Sequence, residues 1–195
     1  MTAAALVLAG GGSRRLGRPK QLEKWGETTL LGHVLSQAAA LPVEQVWVVL
    51  GANTDLVLEQ VDLGSAMVVE NPEWQEGIAS SLRVGLDAIM RLSRAEVVVI
   101  LLGDQPDIDP TLVDRLLDAR KKAGRPVAVP KYRYSWGNPV VVDRTLWPRL
   151  MSLEGDQGAK QLFRAHPEWV TEVWLEGRPP RDVDTVADVE SMRPR

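Results

Sequence analysis

The chain has 195 residues, 45% hydrophobic and 25% charged, with a net charge of −3, enough for one generous domain over residues 1–195 with a substantial buried core. That balance excludes bulk nucleic-acid binding, and the absence of cysteine excludes disulfides and thiolate metal sites and fits a reducing, cytoplasmic setting. No basic leader precedes the first apolar run, and no apolar segment nears the ~20 residues of a membrane helix, so no membrane is expected as a partner.

The first predicted strand passes through Leu6, Val7, Leu8 and Ala9 into Gly10-Gly11-Gly12-Ser13-Arg14-Arg15-Leu16-Gly17-Arg18-Pro19-Lys20. Glycines let backbone approach a ligand closely, so successive N–H groups can form a nest for phosphate oxygens. Arg14, Arg15, Arg18 and Lys20 add mobile positive charge. In a slightly acidic chain such a local basic cluster favours a small anionic ligand. Two better-known phosphate motifs are excluded. Gly12 and Gly17 have P-loop spacing, but Arg18-Pro19 stands where Lys-Ser/Thr is required. Gly10 and Gly12 begin a dinucleotide fingerprint, but Arg15 stands where its third glycine belongs, and the second strand ends in Leu50-Gly51 without an acid for a ribose hydroxyl.

Residues 29–41 place Leu30, Leu31, Val34, Leu35, Ala38 and Leu41 on one helical face, with Thr28 or Thr29 as cap. Residues 46–50 are continuously apolar, as in a parallel strand covered on both faces. A short helix over 54–61 and a short strand over 66–69 follow, bringing Glu70-Asn71-Pro72 to the sheet edge. The next helix carries Leu82, Leu86 and Ile89 on one face; Ser80 or Ser81 at its start either caps free N–H groups or meets a ligand.

Residues 96–102 form the most apolar strand, predicted central, and end in Gly103-Asp104-Gln105-Pro106, where open α/β sheets bind ligands. Asp109 caps and Pro110 opens a further helix, and residues 126–129 make another strand. The alternation implies right-handed crossovers in a mostly parallel sheet. Beyond it the rhythm changes: a polar, aromatic stretch over 132–137, a strand over 139–142, a helix capped by Asp143, and the turn Gly155-Asp156-Gln157-Gly158 before a helix with Leu162 and Phe163. A strand over 169–175 and Arg181-Asp182-Val183-Asp184-Thr185 precede a short helix over 186–192.

Asp104, together with Asp182 and Asp184, can share a magnesium ion, which takes hard oxygen ligands and is commonly held by one or two carboxylates plus substrate phosphates. Beside a glycine-lysine loop this makes a nucleoside triphosphate site. Taken alone, Asp184 serves equally as a helix cap. His33 lies inside a helix and His166 at a helix stop, and both read as structural. Trp25, Trp74 and Trp136 fall in loops near these segments and read as packing.

Taken together, Leu8-Ala9-Gly10-Gly11-Gly12-Ser13-Arg14-Arg15-Leu16-Gly17 with Lys20, Gly103-Asp104-Gln105-Pro106, the stretch from Asn71 through Ser81-Leu82, Gly137-Asn138-Pro139, Gly155-Asp156-Gln157-Gly158-Ala159 and Asp182-Val183-Asp184-Thr185 are collinear over nearly the whole chain. In these motifs the chain resembles the MobA-like nucleotidyltransferase superfamily, and within it the molybdenum cofactor cytidylyltransferases. The resemblance implies a Rossmann-like three-layer α/β sandwich of the nucleotide-diphospho-sugar transferase type. The activity it implies is transfer of a nucleoside monophosphate from CTP or GTP to the terminal phosphate of a molybdopterin-type acceptor, with release of pyrophosphate. Arg15, Lys20 and Asp104 would be catalytic. Leu8, Ala9, Gly10, Gly11, Gly12, Arg15, Lys20, Asn71, Ser80, Ser81 and Asp104 would bind nucleotide. Gln105, Asn138, Gly155 and Asp156 would face the acceptor, and Asp104 and Asp184 would hold Mg²⁺. A molybdoenzyme or its chaperone is the implied macromolecular partner. The opening Leu8-Ala9-Gly10-Gly11 is closer to the guanylyltransferase branch, which leaves the base open between CTP and GTP. Transfer to a sugar or polyol phosphate, or a non-catalytic cofactor-binding role, are the other readings.

Overall fold

A computed structural model describes residues 2–194. Strand β1 (Ala3–Leu8) lies in the interior of the main sheet, and its six residues are all buried. Further strands are β2 (Lys24–Trp25), β3 (Thr28–Thr29), β4 (Gln45–Leu50), β5 (Met67–Glu70), β6 (Val97–Leu102), β7 (Val127–Tyr132), β8 (Ser135–Trp136), β9 (Val140–Asp143) and β10 (Val170–Leu175). The helices are α1 (Leu30–Ala39), α2 (Thr54–Gln60), α3 (Ile78–Leu92), α4 (Pro110–Ala123), α5 (Trp147–Met151), α6 (Ala159–Ala165) and α7 (Val186–Met192).

The main sheet runs β10-β7-β9-β6-β1-β4-β5, with β8 hairpinned onto β7. β1 pairs in parallel with both β4 and β6, and Leu8 lies opposite Val49 and Leu102. The loops after β1, β4, β5 and β6 therefore emerge along one edge. β9 runs antiparallel between β6 and β7, with Val140 opposite Ile100. Its reversed direction brings Asn138, two residues before it, to that same edge.

Alternate strand residues feed two apolar layers, because successive side chains point to opposite faces. Ala5, Val7, Val48, Leu50, Val99 and Leu101 pack against α1 and α4 through Leu31, Val34, Leu112 and Leu116. Leu6, Trp47, Val49, Val98 and Ile100 pack against α3, α5 and α6 through Leu82, Leu86, Trp147 and Phe163. The result is a three-layer sandwich with a mostly parallel sheet. A third, smaller cluster joins Leu16 of the glycine loop, Trp25 and Leu30 to Val183 and Val189 of the terminal segment. At ~1.5–3 kcal/mol for each fully buried aliphatic side chain, it is strong enough to dock that segment beneath the loop.

Several local expectations need correction. Neither Ser80 nor Ser81 caps α3: Gly77 stands at its N-cap without a side-chain bond, and the Ser80 hydroxyl donates to the Gly77 carbonyl instead (2.8 Å). Thr185, not Asp184, caps α7 in a reciprocal box with Asp188. Asp143 caps a single 3-10 turn, and α5 begins only at Trp147. Tyr132, read as part of a polar loop, is a buried strand residue, 7% exposed, packed over Gly137. Asp109 and Pro110 open α4 as expected, with Asp109 accepting from the Thr111 N–H (2.9 Å).

Candidate active site

The loops at the carboxyl edge enclose a cleft of about 460 Å³. Its floor is the strand-to-loop passage from Leu8 through Gly12, with Leu102 and Gly103 beside it. This passage is held by neighbouring strands: Ala9 N–H donates to Val49 O (2.9 Å) and Gly103 N–H to Leu8 O (2.9 Å). Trp74 closes one side. A Cβ added at Gly12 would lie 2.8 Å from its ring, and one at Gly51 2.6 Å from its Cβ. Glycine at both positions lets the indole seat directly on the loop.

Gln21, which the sequence did not single out, braces the loop from behind. It is 2% exposed, and its amide donates to Ala9 O (2.8 Å) and Gly11 O (3.0 Å). With those carbonyls engaged, the loop keeps a fixed outline. Ser13 takes a positive φ of 51° and its hydroxyl accepts from Lys20 N–H (3.0 Å), which folds the basic segment back toward the cleft. A signal for Gln21 was present in principle, since a polar residue follows Lys20 in an otherwise amphipathic stretch, but its two acceptors are backbone atoms that no side-chain pattern reveals.

Asp104 and Asp184, eighty positions apart, meet on one ammonium. Lys20 Nζ lies 2.5 Å from Asp104 Oδ2 and 3.3 Å from Asp184 Oδ1, and Arg15 reaches Asp184 Oδ2 at 2.7 Å. Asp184 arrives because Val183 is fully buried and its N–H donates to the Asp104 carbonyl (2.9 Å). Burial alone would lower the Lys20 pKa, but Asp104 and Asp184 outweigh it and hold the lysine charged above its ordinary value. Burial raises the Asp104 pKa, with Asp182 and Asp184 adding to it and Lys20 opposing. Burial is the main reason that the ionised form of Asp104 is disfavoured. Asp104 Oδ1 is buried without a hydrogen-bond partner. Hard oxygen donors with an unsatisfied lone pair suit a divalent cation that draws its remaining ligands from phosphates and water. Among the described residues no group of three or more His, Cys, Asp or Glu side chains is assembled for a metal, so the residues present fit a cation shared with substrate rather than a closed structural site.

Of the residues singled out beforehand, Leu8, Ala9, Gly10, Gly11, Gly12, Arg14, Arg15, Lys20, Ser81, Asp104, Asp156, Asp182 and Asp184 line this cleft. Others stand apart. Arg18 turns away to pair with Glu23 (Nη2 to Oε2, 2.9 Å). Asn71 is 1% exposed, and its amide is spent on Ser80 Oγ (2.8 Å) and Ser81 Oγ (3.0 Å), shaping the wall without facing the cavity. Asn138 donates to Gln105 Oε1 (3.1 Å), and Gln105 donates to Asp182 Oδ1 (2.6 Å), a relay ending at the cleft. Gly155 accepts from Ala79 N–H (3.1 Å) and so seats the Asp156 turn on the start of α3. His33 lies in α1 beside Trp25, and His166 stacks on Trp169, both outside the cleft.

Known proteins resemble this chain in sequence and fold. Nicotine blue oxidoreductase of Paenarthrobacter nicotinovorans is 31% identical over 194 residues, covering 93% of this chain and 91% of that protein. Rv0371c from Mycobacterium tuberculosis H37Rv superposes with a TM-score of 0.86 at 33% identity, over 98% of this chain and 97% of that one. Its complex with manganese superposes with a TM-score of 0.80 at 31% identity, covering 99% and 98%. CMP:2-keto-3-deoxy-manno-octonic acid synthetase complexed with CTP, 18% identical, shares the fold with a TM-score of 0.79 over 99% of this chain and 97% of that one. No helix among the described residues is long and apolar enough to cross a membrane. The glycine loop and Asp104 fall within residues 5–170, which match the model of the MobA-like NTP transferase domain; the chain belongs to that family of nucleotidyltransferases.

Proposed function

We propose that the chain transfers CMP from CTP to the terminal phosphate of a molybdopterin-type acceptor, in a magnesium-dependent reaction that releases pyrophosphate. The observation that carries this reading is the meeting of Asp104 and Asp184 on Lys20 at the lip of the glycine loop, with one Asp104 oxygen buried and unpartnered. Mg²⁺ held by these two carboxylates would supply charge neutralisation between the phosphates. The manganese complex of Rv0371c supports divalent-metal use.

Gly10, Gly11 and Gly12 offer backbone to the triphosphate, and Lys20 and Arg15 donate to its oxygens once released from the carboxylates that hold them in the free chain. Trp74 and Ser81 flank the nucleoside side of the cleft; Gln105, Asn138 and Asp156 lie toward the acceptor. An acceptor phosphate has a second pKa near 6 and is already largely ionised at neutral pH, so no strong general base is required. Catalysis reduces to alignment and charge neutralisation. Loss of the Lys20 ammonium should cost about 1.5–3 kcal/mol, or about 10–100-fold in rate.

The opening Leu8-Ala9-Gly10-Gly11 favours one second reading, GTP in place of CTP. Pyrophosphate release with each of the four triphosphates, with and without molybdenum cofactor, separates the two. Asp104→Asn should abolish release while circular dichroism stays unchanged. Wild-type turnover in that variant, or no release with any triphosphate when acceptor and Mg²⁺ are present, would overturn the assignment.

A further inference from the structure

We infer that Lys160 is the residue that binds the acceptor's phosphate, and that the small apolar pocket it borders takes part of the acceptor's body, so that the acceptor class is a phosphomonoester on an apolar or planar fragment. The inference rests on the transferase reading above and names the substrate chemistry of the same site.

Behind the cleft lies a second cavity of about 80 Å³, lined by Ile78, Leu82, Ile100 and Val140 together with Asn138 and Lys160. Leu8, Ile78 and Leu102 border both spaces, so the cavity adjoins the triphosphate cleft. Lys160 is the cation in this lining.

Its position is unfavourable for the fold by itself. It is the second residue of α6, in a first turn with no acidic residue, where the positive end of the helix disfavours a cation. The side chain is half-buried, and among the described residues it makes no hydrogen bond and no ion pair. Asp182 attracts it only from beyond ion-pair distance, and Arg164, one turn later, repels it. A lysine that merely covers apolar surface keeps its ammonium in water. Here the half-buried side chain has no partner for its charge among the described residues, and burial lowers its pKa below that of an ordinary lysine.

An unpaired, half-buried cation carries a free-energy cost that an incoming anion would remove. The cleft is lined by Asp104, Asp156, Asp182 and Asp184, and its own cations, Arg14, Arg15 and Lys20, belong to the glycine loop on which the triphosphate is placed. With those three cations taken by the triphosphate, Lys160 is the cation left for a second phosphate among the residues lining the two cavities. The apolar lining then sets what the phosphate is attached to, and the Asn138 amide stands at the junction.

Calorimetric titration with phenyl phosphate, inorganic phosphate and phenol tests this on the full chain, as wild type, Lys160→Met and Lys160→Arg, with Mg²⁺-CTP and Mg²⁺-GTP titrated in parallel. Phenyl phosphate should bind wild type at least about tenfold more tightly than phosphate or phenol, and Lys160→Met should lose about tenfold or more of it. Lys160→Arg should keep most of that affinity, and triphosphate binding should be the same in all three. No phenyl phosphate binding by wild type, equal binding by wild type and Lys160→Met, or an equal loss of phenol in that variant would overturn the assignment. Absence of triphosphate binding in wild type would instead overturn the transferase reading, so the two failures are distinguishable.

Discussion

Gly77→Ala should destabilise the protein far more than any other single methyl addition at the rim of the cleft. Gly77 sits at φ 105°, ψ −179°, and a Cβ there would lie 2.4 Å from the Gly155 carbonyl oxygen and 2.6 Å from Asp156 Oδ1. A backbone in this glycine-only region costs a substituted residue about 1–3 kcal/mol. Forcing an added methyl against backbone adds about 1–3 kcal/mol, and loss of the Ala79 N–H bond to Gly155 O adds about 1 kcal/mol. The expected loss is about 3–7 kcal/mol from a total of about 5–15, or a fall in Tm of about 6–28 °C. Gly155→Ala is the matched control: φ is 59° there, but nothing lies within 4 Å of the new Cβ, and the left-handed backbone alone should cost about 1–2 kcal/mol. Urea denaturation of both variants with linear extrapolation measures the difference. A Gly77→Ala loss within about 0.5 kcal/mol of the Gly155→Ala loss would refute the claim that this contact holds the Asp156 turn against α3.

Gln21→Leu leaves the buried Ala9 carbonyl unpaired, a cost of about 1–3 kcal/mol partly offset by removing the unpartnered Gln21 Oε1. Its larger effect should be on triphosphate affinity, which calorimetry should find reduced about tenfold or more; unchanged affinity would show that the loop holds its shape without the brace. Asp109→Ala removes the α4 cap and should lower stability by about 0.5–2 kcal/mol at neutral pH. The bond from the Thr111 hydroxyl, with burial opposing, holds the Asp109 carboxyl below its ordinary value of 3.8. Its contribution is therefore present above that value and lost as pH falls through the lower folded one. Asp109→Asn should keep the cap and lose this acid-side dependence, which thermal melts from pH 2 to 7 would read out.

Much of the architecture was legible in the chain. Continuous apolar runs marked β1, β4 and β6 because strands buried on both faces tolerate little else. Asp109-Pro110 and the Thr28-Thr29 pair marked helix starts, the structure choosing Thr29 as the cap, because capping is a local matter of a few residues. The glycine-rich turn and Asp104 were likewise visible, since a ligand loop must follow a buried strand. Sequence order alone, however, says nothing of strand order in the sheet. Only the folded molecule inserts β9 antiparallel between β6 and β7, and that reversal is what joins Asn138 to Gln105 and Asp182. Only packing of Val183 against Leu16 and Leu30 delivers Asp184 to Lys20, 164 positions earlier. The partners of Gln21 and Asn71 and the isolation of Lys160 belong to the same class. Local periodicity reports which face of an element is apolar, whereas contacts between distant segments arise from how those faces are stacked, and that is decided by burial in three dimensions.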